Sequence, residues 1–503
     1  MRRFLCLALG LLGAMTAATG PAWAQATPEE AAKLKAVLES WVASGVPLDP
    51  AEANYLVWRL PATLSIGRWR VDPDGAGYEI SSPGTRSLLS RGFGGLFSPT
   101  VLFCAASRLR ADPIRPGSFS LTADDPLSCR LEWTGEPPLR LVAKSQETTG
   151  TIELGDRPGA SHDIILNQVT LEKGTDAIAS QAYPAGPQPT IKRLTISGTR
   201  RAAEDGRSDL TSRIVLEALA GPSPAGTGTI SADRIVYETG SQGTDVVALS
   251  ASAIALAKRL AGDAGKADPA PGDDPAVQAL LDTLLGGIGP DSRQETRVQG
   301  LVASTPTVRI KAESLDFGAA ASAFDRDGVR ISVRIDGKGL AVEPTTAYAD
   351  WLPVEATAQI SIDNAPLWTI LSAQILSGEP TPEDAAGWML ASRTRFRIDG
   401  IHLTAPGGAL DLKGEIAMNP DAGLGSAGTL RMRLTGIDGL VKALQADPQA
   451  SQAAAGLTMV QVLGRQTTLP DGRSARDYDI VIDPSGKLLV NGADVRSLIP
   501  KDL

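Results

Sequence analysis

Four stretches of this chain carry the same short phrase. Leu194-Thr195-Ile196-Ser197-Gly198, Val333-Arg334-Ile335-Asp336-Gly337, Phe396-Arg397-Ile398-Asp399-Gly400 and Met432-Arg433-Leu434-Thr435-Gly436 each alternate apolar and polar residues twice and then place a glycine. A period of two is the repeat of a strand with one dry and one wet face, because successive side chains leave a pleated backbone on opposite sides. The glycine reads as the place where such a strand stops or turns.

The same alternation recurs at 62–66, 162–171, 190–197, 209–217, 229–238, 307–315, 329–335, 394–398, 409–416, 429–434, 479–482 and 487–490. Few strong helices separate these stretches, which predicts an antiparallel meander rather than βαβ units. Helical spacing of apolar residues predicts helices over 27–43, 246–260, 275–285, 366–376, 382–391, 439–444 and 449–463. The fold class is therefore mainly β with peripheral α-helices (α+β), built on one or more long twisted antiparallel sheets. The apolar face of such a sheet must be covered by helices packed on it or left open as a β-groove. Residues 262–275 contain no large apolar side chain and read as a linker or mobile loop. They divide the chain into an N-terminal β-rich domain with a leading helix, 25–261, and a C-terminal β-rich domain with helices, 276–503.

The first residues read as an address. Arg2 and Arg3 precede an apolar run from Phe4 to Met15, and Ala22-Trp23-Ala24 offers a small-x-small cleavage site. Residues 1–24 are expected to be a signal peptide cut between Ala24 and Gln25, which places the protein in the periplasm. The run is short for a membrane span, which needs roughly 20 residues, and no later stretch reaches that length. Removal of the signal leaves two cysteines, Cys104 and Cys129. An oxidising compartment would preserve a disulfide between them.

Charge and composition exclude some partners. The chain carries 48 Lys+Arg against 57 Asp+Glu, and aromatic residues make up 4%. An acidic chain poor in stacking groups is not built for nucleic acid. The two histidines, His162 and His402, lie on separate strand stretches without an HExxH or Cys/His cluster. The run Gly423-Leu424-Gly425-Ser426-Ala427-Gly428 matches the bare dinucleotide pattern but opens a strand, not a helix, and reads as a hairpin loop. No catalytic residue, cofactor site or metal site is expected, and the chain is read as non-enzymatic. One charged pattern is less random. Arg309, Arg330, Arg334, Arg395, Arg397, Arg431 and Arg433 occupy polar positions of the C-terminal strands. Strands paired in register would carry them as a basic stripe, or as a solvated face balanced by neighbours such as Asp336 and Asp399.

The C-terminal residues also carry a resemblance. Gly407-Gly408-Ala409-Leu410-Asp411-Leu412-Lys413-Gly414 is followed by Gly428-Thr429-Leu430-Arg431-Met432-Arg433-Leu434-Thr435-Gly436 and Ile437-Asp438-Gly439-Leu440. Gly486-Lys487-Leu488-Leu489-Val490-Asn491-Gly492 then precedes Leu498-Ile499-Pro500. This succession resembles an uncharacterised family of exported alphaproteobacterial proteins of unknown function. More loosely, it is similar to the C-terminal repeats of AsmA-like envelope proteins. The AsmA-like resemblance implies a long β-groove, membrane association and lipid transport or envelope homeostasis. It supplies no catalytic residues. Together these readings lead to a cell-envelope protein holding lipid or another amphiphile on a sheet face. The alternative is a structural or protein-interaction module of the envelope without a small ligand.

Overall fold

A computed structural model describes residues 26–39, 63–66, 68–90, 100–123, 125–126, 128–133, 136–173, 188–203, 205–222, 228–263, 274–325, 328–343, 348–377, 381–446 and 450–495. The expected signal peptide with its Ala24–Gln25 cleavage site, and most of the 262–275 stretch, lie outside these residues.

The strands form one antiparallel sheet in which nearly every strand pairs with its neighbours along the chain. The first four passes are each broken by a short interruption. They are β1 (Thr63–Ile66) with β2 (Arg70–Asp74), β3 (Gly77–Ser82) with β4 (Gly84–Ser90), β5 (Thr100–Cys104) with β6 (Ser107–Arg115), and β7 (Ser118–Ala123) with β8 (Cys129–Trp133). The passes pair β1–β4–β5–β8 and β2–β3–β6–β7. Both rows then join β9 (Glu136–Glu153), which pairs with β8 near its start and with β7 at its end.

Long unbroken strands follow in chain order: β10 (Gly159–Lys173), β11 (Thr190–Ala202), β12 (Ser208–Pro222), β13 (Thr229–Thr244), β14 (Asp291–Ser304) and β15 (Arg309–Ser322). Next come β16 (Val329–Lys338), the short β17 (Ala341–Glu343), β18 (Glu355–Ala365), β19 (Arg395–Ala405), β20 (Gly408–Met418) and β21 (Ser426–Thr435). The series ends with β22 (Arg465–Thr468), β23 (Ser474–Ile482), β24 (Leu488–Val490) and β25 (Ala493–Asp494).

Helices interrupt the meander in pairs. Helix α1 (Pro28–Glu39) leads the described chain. Helices α2 (Val246–Asp263) and α3 (Pro275–Gly286) lie between β13 and β14. Helices α4 (Leu367–Ser377) and α5 (Pro382–Ala391) lie between β18 and β19, and α6 (Ile437–Gln445) and α7 (Ser451–Leu463) between β21 and β22. Strands β13 and β14 flank the expected linker, yet they pair from Thr229↔Ser304 to Gln242↔Asp291. Strand pairing therefore runs through the 262–275 position without a break. Asp274 supplies the physical stop of that insertion. Its carboxylate accepts from Ala276 N at 2.9 Å to cap α3 and from Arg259 Nη2 at 2.7 Å.

The repeated glycine behaves differently from its sequence reading. Gly198, Gly337 and Gly400 lie inside β11, β16 and β19, and only Gly436 ends its strand. The reason is steric and local. A Cβ at Gly198 would stand 2.5 Å from Cε1 of His162 on the paired strand, so the missing side chain makes room for the imidazole. Gly436 has φ +77°, the left-handed conformation that glycine adopts without penalty, and it opens α6.

The two ends of the sheet are closed by helix. Thr27 caps α1, accepting from Glu30 N at 3.2 Å, and the Tyr78 hydroxyl donates to Glu30 Oε2 at 2.7 Å. Ala31, Leu34 and Leu38 of α1 form one core cluster with Tyr78, Ile80, Phe119, Leu121 and Ile152 of the sheet. At the far end Tyr478, Val490 and Val495 pack with Val460 and Leu463 of α7, and Tyr478 donates its hydroxyl to Val460 O at 2.9 Å.

Cys104 and Cys129 are directly opposite on β5 and β8 and are joined by a disulfide across 25 residues. The bond sits beside a second apolar cluster that includes Leu141, Leu171 and Leu194. A Cys104→Ser/Cys129→Ser variant should lose about 3 kcal/mol of stability through the freed loop entropy of the unfolded chain. Urea titration of the variant against the oxidised parent measures it; equal midpoints would show that the bond adds nothing.

Candidate functional site

Directly paired residues on neighbouring strands share a face, so the register defines what each face offers. One row can be followed strand by strand. It begins at His162↔Gly198↔Ser212↔Thr239↔Gln294 across β10 to β14. It continues as Gln294↔Ala319↔Val333↔Ile360↔Ile398 across β15 to β19, and reaches Gly414↔Leu430↔Ile480↔Val490. The adjacent row on the same face reads Ile164↔Ile196↔Ile214↔Tyr237↔Thr296↔Phe317 and then Ile335↔Ala358↔Ile401↔Leu412↔Met432. The apolar positions of the repeated phrase thus add up to a single face that spans most of the sheet.

That face is not closed along its length. Between β15 and β21 the side chains of Phe317, Val333, Ile360, Ile398, Ile401, Leu412, Leu430 and Met432 are all half-buried, and none is fully buried. Ile335 keeps 43% of its surface exposed and Ile310 47%. Isolated exposed apolar residues need no explanation, but a contiguous apolar surface on a folded chain marks a binding surface.

The opposite face carries the charges. The arginines of the expected basic stripe do line up there, and each has a carboxylate partner. Arg330 meets Asp363 at 2.6 Å, Arg334 meets Asp336 at 2.5 Å and Arg395 meets Glu415 at 3.2 Å. Arg397 meets Asp399 at 2.8 Å, Arg433 meets Asp477 at 2.7 Å and Arg431 reaches Asp479 at 3.9 Å. Arg309 shares Glu343 with Lys311. Hydrogen bonding from Arg433 holds the Asp477 carboxyl below the usual carboxylate range. The row is a matched lattice rather than a basic surface. Exposed pairs of this kind contribute about 0–1 kcal/mol each, and their role is to keep this face wet. A depression of about 580 Å³ among them, bordered by Arg397, Lys413, Glu415, Arg431 and Asp479, holds both signs of charge.

The histidines occupy opposite faces. His162 lies on the apolar face, where burial pushes its pKa down and favours the neutral imidazole. His402 lies on the charged face, with Nδ1 2.6 Å from Asp411 Oδ1. Among the described residues no group of three or more His, Cys, Asp or Glu is placed to hold a metal ion. No described helix is long and apolar enough to cross a membrane.

The segment that contains the open part of the face also carries the comparison with known proteins. Residues 292–495 match a family described as an uncharacterized protein conserved in bacteria (DUF2125). The DUF2125 match starts at β14 and ends just past β25, so it covers the whole half-buried apolar stretch from β15 to β21 and less than half of the chain. No curated protein and no solved structure matches the chain. The DUF2125 segment coincides with the C-terminal part in which the sequence resembles an unknown-function family.

Sequence reasoning missed two strands of this site. The start of β14, Asp291-Ser292-Arg293-Gln294-Glu295-Thr296, is polar on both faces, so no alternation marks it. Strand β18 places alanines at 356 and 358 on the dry face, and small residues weaken the periodic signal.

Proposed function

We propose that this is a non-enzymatic cell-envelope protein, exported to the periplasm, that holds the acyl chains of a lipid or similar amphiphile on its open apolar sheet face. The observation that carries the reading is the run of half-buried apolar side chains that the strand pairing lines up from β15 to β21, across register shifts at Gln359/Ile360 and Ile398/Ile401. Acyl chains are the natural complement of such a surface because the contact is non-directional and gains with every methylene covered. Covering half of a 16-carbon chain yields roughly 6 kcal/mol at about 0.8 kcal/mol per methylene, which corresponds to an affinity of tens of micromolar. The matched charges of the other face keep it in water, so only one face is offered. The Cys104–Cys129 bond supports an oxidising compartment.

The test is native mass spectrometry of the full chain purified from bacterial envelopes without detergent, followed by extraction and displacement of a fluorescent fatty acid. Bound amphiphile and micromolar displacement are expected. Ile360→Asp, on the half-buried face, should weaken binding at least about tenfold by placing a charge in the acyl bed. A lipid-free parent that fails to displace the probe would sink the reading.

A further inference from the structure

The row that runs through the apolar face changes character once. From β15 onward its members are Ala319, Val333, Ile360 and Ile398, whereas across β10 to β14 they are His162, Gly198, Ser212, Thr239 and Gln294. We infer that this polar row is a headgroup site: it receives the uncharged, hydroxyl-bearing head of the amphiphile whose chains lie on the apolar bed from β15 to β21. The inference rests on the proposed acyl-binding role of that bed.

Three features carry it. First, Ser212, Thr239 and Gln294 are half-buried on adjacent strands β12, β13 and β14, in direct register, and no hydrogen bond to another described residue forms at their side chains. At the edge of the apolar bed these hydroxyls and the amide offer donors and acceptors that a bound head can use in place of water. The neighbouring row carries Ile214 and Tyr237 at β12 and β13 and a hydroxyl residue, Thr296, at β14. Second, the groups are neutral. They offer hydroxyl and amide dipoles rather than charge, and the ionic groups of these strands, such as Arg213, Glu238 and Arg297, belong to the other face. Arg200, on the same face nearer the strand ends, donates to Ser208 Oγ at 3.0 Å. A head rich in hydroxyls matches this neutral row, whereas a phosphate would want cations, and Arg200 on this face is buried and hydrogen-bonded to Ser208.

Third, the dimensions agree. Strands lie about 4.8 Å apart, so the row from β12 to β14 is about 10 Å long and the apolar bed from β15 to β21 about 24 Å. One monolayer of lipid hydrocarbon is about 15 Å deep, half the thickness of a bilayer core. The head can rest on Ser212–Gln294 while its chains lie fully on the bed.

The experiment compares two probes that share an acyl chain, monoolein with two free hydroxyls and methyl oleate with none. Each displaces the same fluorescent fatty acid from the full chain. The parent should bind monoolein about tenfold more tightly, the yield of two ordinary hydrogen bonds. The triple variant Ser212→Val, Thr239→Val, Gln294→Leu should bring the ratio below about twofold while methyl oleate binds as before, because all three replacements suit a dry strand face. Equal binding of both probes by the parent overturns the headgroup site and leaves the acyl-binding role standing. Failure of the parent to bind either probe overturns both. The parent comparison decides the matter even if the triple variant misfolds.

Discussion

Phe119→Ala should lower the stability of the N-terminal end of the sheet by about 4 kcal/mol, within the range for emptying a core aromatic position. Phe119 is 2% exposed and stacks edge-on against Tyr78 with ring centroids 5.5 Å apart. Its neighbours Leu34, Leu38, Ile80 and Ile152 are fully buried, so the hole has no mobile side chain to collapse into it. Tyr78 is also the residue that ties α1 to the sheet through Thr27 N and Glu30 Oε2. Loosening its ring partner therefore releases the helix as well as the cavity wall. Urea titration and limited proteolysis near α1 measure the loss. A shift below about 1 kcal/mol would show that α1 does not close this end of the sheet.

Gly436→Ala is expected to cost more than about 3 kcal/mol or to prevent folding of the C-terminal strands. The residue has φ +77°, and a Cβ there would stand 1.8 Å from the Gly407 carbonyl oxygen and 2.8 Å from Gly408 Cα. Both are backbone atoms of the β19–β20 turn and cannot rotate away. Trp351 Nε1 donates to Gly436 O at 3.2 Å, so moving this residue also breaks the bond that holds the 310 turn Ala349–Trp351. Gly472→Ala is the matched comparison, because Gly472 has φ +83° and nothing within 4 Å of its added Cβ. It should lose only the conformational part, about 1 kcal/mol. Equal denaturation midpoints for the two variants would show that the close approach to Gly407 contributes nothing.

The site was partly readable in advance because its signal is local. Alternation in stretches such as 394–398 and 429–434 marks a dry and a wet side without reference to any partner strand. The arginines at 395, 397, 431 and 433 were readable as one row for the same reason. Part of their balance was readable too, since Asp399 lies two residues from Arg397 and pairs with it, whereas Arg433 finds Asp477 and Arg395 finds Glu415 only after distant strands pair. The polar row of Ser212, Thr239 and Gln294 was equally hidden. Each looks like an ordinary strand residue, and only the register of β12, β13 and β14 places the three side by side.

By itself, the period of two in this chain determined that it folds largely as sheet, and that each alternating stretch has a face that avoids water. Alternation is a property of consecutive residues, so it survives without knowledge of the fold. Tertiary structure alone decided that the dry faces merge into one, that α1 and α7 close only its ends, and that the middle stays accessible. Those outcomes depend on strand order, register and helix placement, which arise from contacts between residues far apart in sequence. It also reassigned the glycine of the repeated phrase. At 198 it makes room for a histidine on the next strand, and at 436 it turns the chain beneath another backbone.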